Sequence, residues 1–97
     1  MSDRGKGDVL RRSFEIKNAL GLHARAATVF IETIKNFDAA ILVMKDDQEV
    51  DGKSIIGLLM LAAVPGSLID VSASGPDAEA ALDAIGALID RRFGEES

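Results

Sequence analysis

Leu20-Gly21-Leu22-His23-Ala24-Arg25-Ala26-Ala27 is the stretch around which the chain is built. Behind it, Ala27, Phe30, Ile31, Ile34 and Phe37 recur at helical spacing. They form one stripe of an amphipathic helix, predicted over residues 24–36. His23, the only histidine in the sequence, therefore stands where a loop becomes a helix. The first N–H groups of a helix have no intrahelical partner and carry partial positive charge. Arg25 adds a cationic fork two residues on, and together they make an anion site that suits phosphate. Imidazole is a nucleophile near neutral pH. The stretch points to a histidine that accepts a phosphoryl group and is stabilised while carrying it. On position alone, a histidine at a helix start is an ordinary cap or surface residue. Gly21 and Arg25 on either side bring the chemical reading level with that one.

Working outward toward the N-terminus, residues 10–17 alternate around Phe14 and Ile16, a strand with one buried face. Asn18-Ala19-Leu20-Gly21 is the loop that follows, and Gly21 can take a positive φ without steric cost. Residues 1–9 are polar and contain glycine, which predicts a flexible tail.

Toward the C-terminus, residues 39–45 read as a second strand. Asp46-Asp47 is a turn and residues 48–51 a short third strand, the pair forming a hairpin. Ser54 can cap a second helix over residues 55–63, apolar on nearly every side, so that some of its side chains should be exposed. Pro65-Gly66 makes a turn. In residues 68–74, Ile69, Val71 and Ala73 alternate with Asp70, Ser72 and Ser74, one face buried and one wet. Gly75-Pro76-Asp77 opens a third helix with Ala78, Ala81, Leu82, Ile85, Leu88 and Ile89 as its stripe. Asp77 and Glu79 near its start and Arg91 and Arg92 near its end suit the helix dipole. Gly86 within it predicts close packing. The order is β-α-β-β-α-β-α, an α+β fold. A four-stranded antiparallel sheet with three helices on one face satisfies it. Residues 10–93 form a single domain, followed by a C-terminal tail at 94–97.

Composition sets limits. The 97 residues suffice for one core, and 47% apolar with 28% charged residues describes a globular domain. Cysteine is absent, which excludes disulfides and thiolate metal sites and fits a reducing compartment. A net charge of −5, with Phe as the sole aromatic type, argues against a nucleic-acid partner. No stretch is long and apolar enough to insert in a membrane. Asp46, Asp47, Glu49 and Asp51 lack calcium-loop spacing, and no metal site or nucleotide-binding loop is visible. No cofactor is expected. The Glu95-Glu96 pair fits no catalytic arrangement and is assigned no role.

Gly21-Leu22-His23-Ala24-Arg25 followed by an apolar helix resembles the active-site motif of the HPr family. These are the small phosphocarriers of the bacterial phosphotransferase system, including its nitrogen-branch variant. Gly52-Lys53-Ser54-Ile55-Ile56-Gly57-Leu58-Leu59-Met60-Leu61 resembles the family's regulatory-serine segment. The likeness runs over residues 13–92, with two motifs in order at the family's spacing. One departure is Ala26, where the family usually has proline.

The resemblance implies an open-faced β-sandwich, a cytoplasmic monomer, and phosphoryl transfer through His23 on the ring nitrogen nearer the backbone. Backbone N–H groups of Ala24 and Arg25 would stabilise the group, with the Arg25 guanidinium on its oxygens. Implied partners are Enzyme I as donor, Enzyme II A-type domains as acceptors, and a serine kinase or phosphorylase acting at Ser54. Ile55, Ile56 and Leu59 are implied as docking residues. The protein would be consumed and regenerated stoichiometrically rather than act as an enzyme. Sugar transport and nitrogen or stress signalling both stay open. Two rivals remain: a non-catalytic regulatory adaptor acting through Ser54 and the second helix, and a small-molecule-binding regulatory α+β domain.

Overall fold

The computed structural model describes residues 9–96. Residues 1–8, which hold most of the expected N-terminal tail, lie outside the described residues, as does residue 97. The elements run β1 (Leu10–Glu15), α1 (Ala24–Ile34), β2 (Ala40–Lys45), β3 (Gln48–Asp51), α2 (Ile55–Met60), β4 (Leu68–Ser74) and α3 (Ala78–Asp90). A short 3-10 turn, Arg92–Gly94, follows α3. The strands form one antiparallel sheet in the order β1-β4-β2-β3. Val43 lies opposite Val71 across β2 and β4, and Val71 opposite Arg12 across β4 and β1.

Alternation along the strands decides which face is covered. Ile41 and Val43 of β2 and Ile69, Val71 and Ala73 of β4 are buried, as the period of two requires. They pack against Phe30 and Ile34 of α1, Leu58 of α2 and Leu82, Ile85 and Ile89 of α3, in one core. The helices share this side and leave the other face of the sheet open. Ser72, read as part of the wet face, is buried as well, because β4 is a central strand and Ser72 lies between Arg11 of β1 and Leu42 of β2. Gly86 of α3 lies close over β1: a β-carbon there would sit 3.2 Å from Phe14. The Asp46-Asp47 turn between β2 and β3 is tight, with Asp46 at φ 56. Asp77 does not cap α3 with its side chain; its carboxylate instead accepts the Asp38 N–H at 2.7 Å.

Four boundaries differ from the sequence reading. β2 starts at Ala40 rather than at residue 39, because the Ala39 N–H bonds back to the Phe37 carbonyl in the turn after α1. β1 ends at Glu15 rather than at residue 17, because Ile16 already bonds to the turn before β4: its N–H donates to the Ser67 carbonyl and its own carbonyl accepts from Gly66. α1 ends at Ile34 rather than at residue 36, where the chain turns toward β2. α2 ends at Met60 rather than at residue 63. The apolar run continues, but the Leu61 and Ala62 N–H groups bond three residues back and Ala62 is left-handed at φ 52. The next residue, Ala63, spends its carbonyl on the Leu22 N–H at 2.9 Å. Tertiary docking thus ends the helix where composition alone would extend it.

Candidate functional site

The site is assembled around the start of α1. Asn18 and Gly21 close the preceding loop, the Gly21 N–H donating to the Asn18 carbonyl at 3.2 Å. Gly21 has φ +69, and a β-carbon there would lie 2.5 Å from the Ala63 carbonyl oxygen. Only glycine allows this backbone to pass so close, and the passage lets Leu22 bond to Ala63. The loop behind His23 is therefore anchored to the segment that follows α2.

His23 is the N-cap of α1, in extended conformation at φ −92 and ψ −177. The Ala27 N–H is bonded back to the His23 carbonyl at 2.8 Å. The N–H groups of Ala24, Arg25 and Ala26 precede that first helical bond and point toward the cap. The Arg25 N–H faces His23 Nδ1 at 3.3 Å. Ala26, where proline is usual, is a buried residue of the first turn. The Arg25 side chain is exposed. With Val29, Phe93, Gly94, Glu95 and Glu96 it lines an open cavity of about 420 Å³.

The other side of the ring brings a residue that sequence reasoning left without a role. Glu95 Oε2 lies 2.6 Å from His23 Nε2. Its second oxygen accepts from the Asn18 amide at 2.9 Å, and the same amide nitrogen donates to the Gly21 carbonyl at 2.8 Å. Burial alone would push the Glu95 carboxyl up. Hydrogen bonds from Asn18 and His23, with the electrostatic attraction of the His23 ring and of the Arg25 guanidinium, outweigh it and hold its pKa below the ordinary glutamate value. A charged carboxylate at Nε2 favours the tautomer with its proton on Nε2 and a lone pair on Nδ1. That lone pair points at the helix N-terminus, where an incoming anionic group meets N–H donors that have no intrahelical partner. The sequence carried one signal for this contact: Phe93-Gly94 just before Glu95, an aromatic anchor followed by a turn residue. Phe93 is indeed buried.

Ser54 caps α2, its Oγ accepting the Gly57 N–H at 3.0 Å. Ile55, Ile56 and Leu59 are exposed by 39%, 68% and 38%, whereas Leu58 is wholly buried. Leu20, Met60 and Val64 are also large exposed apolar residues that the sequence did not single out. Among the described residues there is no cluster of side chains suited to a metal ion, and no helix is long and apolar enough to cross a membrane.

An open-faced sandwich that presents a lone-pair-bearing histidine at a helix N-terminus is the architecture of a small phosphocarrier domain. The family profile described as "PTS HPr component phosphorylation site" matches residues 10–91. The chain belongs to the HPr family, the phosphocarriers of the phosphotransferase system. It is 46% identical to phosphocarrier protein HPr of Neisseria meningitidis serogroup A, across 90% of this chain and 98% of that one. It is equally 46% identical to phosphocarrier protein NPr of Shewanella violacea, across 91% and 97%. Among solved structures, HPr-C-His from Thermoanaerobacter tengcongensis superposes with a TM-score of 0.86 at 42% identity, covering 91% of this chain and 99% of that one.

Proposed function

We propose that the chain carries its phosphoryl group on His23 Nδ1. It takes the group from the phosphohistidine of Enzyme I, or of its nitrogen-branch counterpart, and gives it to a histidine or cysteine on an Enzyme II A-type domain. The observation that carries this is the pair of contacts on the ring: Nδ1 toward the Arg25 N–H and Nε2 on Glu95. The nucleophilic nitrogen is thereby the one aimed at the anion-binding end of α1. The backbone N–H groups of Ala24 and Arg25 receive the phosphoryl oxygens, and the Arg25 guanidinium adds a fork of charge-assisted hydrogen bonds. Partners dock on Ile55, Ile56 and Leu59, whose exposure on a helix this short is otherwise unfavourable. Ser54 is a site of regulatory phosphorylation, and its position as helix cap accommodates a phosphate without loss of the fold. The transfers take place in the cytoplasm, with the protein a monomer.

The test is incubation with phosphoenolpyruvate and Enzyme I. One acid-labile, base-stable phosphate is expected, and none in His23→Ala. Label that persists in that variant would overturn the assignment.

A further inference from the structure

Three segments distant in sequence meet on one imidazole: the loop from Asn18 to Gly21, the first turn of α1 and the C-terminal Phe93-Gly94-Glu95. The last of these is held firmly. Phe93 is buried in the core, and Arg92, Phe93 and Gly94 all take left-handed conformations, at φ 54, 57 and 80. Non-glycine residues avoid that region unless their surroundings impose it. Asn18 is wholly buried and donates from its amide both to Gly21 and to Glu95, while its Oδ1 has no partner. An orphaned buried acceptor is unfavourable. The fold keeps it in exchange for an amide aimed at the Glu95 carboxylate.

Resting on the phosphocarrier reading above, we infer that Glu95 is a positioning residue for transfer. Oriented by Asn18, it holds a proton on His23 Nε2 before and after the phosphoryl group arrives on Nδ1. In uptake, the Nδ1 lone pair forms the new N–P bond, the donor's N–P bond breaks, and its electron pair returns to the donor ring. The Nε2 proton stays, so the His23 ring becomes cationic opposite the carboxylate. In delivery, the N–P electrons return to Nδ1, and the protonated Nε2 makes the leaving group a neutral imidazole rather than an imidazolate. Deprotonation of the phosphorylated ring turns it into a poor leaving group, so delivery falls at alkaline pH. A carboxylate beside the proton postpones that fall. The charged groups at the ring are Glu95 from the C-terminal segment and Arg25 from α1, with Glu96 beside Arg25 in the cavity. Asn18 in the loop and Ala63 and Val64 behind it are neutral.

The experiment uses the full chain, phosphorylated by Enzyme I and phosphoenolpyruvate, with delivery to a purified Enzyme II A-type domain followed against pH. Nitrogen-resolved NMR of the unphosphorylated protein reports the Nε2 proton. Glu95→Ala is expected to lose the slowly exchanging Nε2 signal and to move the alkaline fall of delivery down by about one pH unit. Glu95→Gln retains an acceptor for the ring proton and should keep the signal, yet share the shifted profile because its charge is gone. A parental profile in both variants, or an undiminished signal in Glu95→Ala, would overturn the inference. If Glu95→Ala fails to fold, Glu95→Gln, which conserves size, decides by its profile. If the parent takes no label at all, it is the phosphocarrier assignment of His23 that fails, and the Nε2 signal alone then decides the Glu95 contact.

Discussion

Gly21→Ala tests how the histidine loop is held, and Gly66→Ala supplies its control. Both glycines have positive φ, +69 and +86. Alanine in that region costs about 1–2 kcal/mol, reduced by about 0.4–1 kcal/mol because the unfolded chain also loses freedom. Both variants carry this term. They differ in what the new methyl meets. At Gly66 nothing lies within 4 Å, whereas at Gly21 the Ala63 carbonyl oxygen is 2.5 Å away and the Val64 Cα 3.2 Å away. Both obstacles are backbone, so the loop must retreat, and the 2.9 Å bond from the Leu22 N–H to Ala63 is the contact that gives. Leu22 is buried, so its stranded N–H costs about 1–3 kcal/mol. Gly21→Ala should thus be less stable than Gly66→Ala by about 1–3 kcal/mol, with Tm lower by on the order of 10 °C for a domain this size. Thermal unfolding followed by circular dichroism measures the difference. Phosphoryl uptake should slow in Gly21→Ala alone, since His23 follows in the same loop. Equal Tm values for the two variants would refute the view that this close approach anchors the loop.

Arg25→Lys keeps the charge and loses the two-pronged geometry, so transfer should slow while Arg91→Lys transfers as the parent does; equal rates would deny the guanidinium a specific role. Ser54→Asp should raise the KM for this protein in the Enzyme I assay more than it lowers the maximal rate, because the new charge sits beside the exposed Ile55 and Ile56. Ser54→Ala should transfer normally and lose about 1 kcal/mol of capping, read by urea denaturation. Glu95 has a lowered pKa in the fold, so its stabilisation is fully present above the unfolded glutamate value of 4.5 and disappears as pH falls through the lower folded value. Urea midpoints should therefore favour the parent over Glu95→Gln at neutral pH and converge in acid; a gap that widens in acid would contradict the assigned sign.

The strands and the stripes of α1 and α3 were legible because their periods are local. β3 and β4 coincide with the sequence reading to the residue, since alternation and turn residues bracket them. The Ser54 cap was legible for the same reason: its hydroxyl reaches only three residues ahead. α2 was read too long because Leu61 and Ala63 continue an apolar run and are indeed buried. What ends the helix is a bond from Ala63 to Leu22, 41 positions earlier in a chain whose local pattern gives no sign of it. The half of the site near Arg25 was readable from one short motif. The half made by Glu95 was not, because Asn18 reads as an ordinary loop residue and the contact to His23 spans 72 positions. The buried Phe93, with the bonds from Asn18 and His23 to Glu95, brings the two ends together.

The strand order has a consequence for how the protein is made. β4 lies between β1 and β2, so the first strand synthesised finds its ladder partner only when residues 68–74 have emerged. Until then a nascent chain holds the β2–β3 hairpin and the sequence of α1, but β1 presents bare N–H and C=O groups on both edges. Pairings of such long range are slow to form and prone to aggregate while they wait. The last strand therefore enters the middle of the sheet, and the β1 ladder cannot close before it does. A chain truncated before that point would have its histidine but lack the strand that joins β1 to β2.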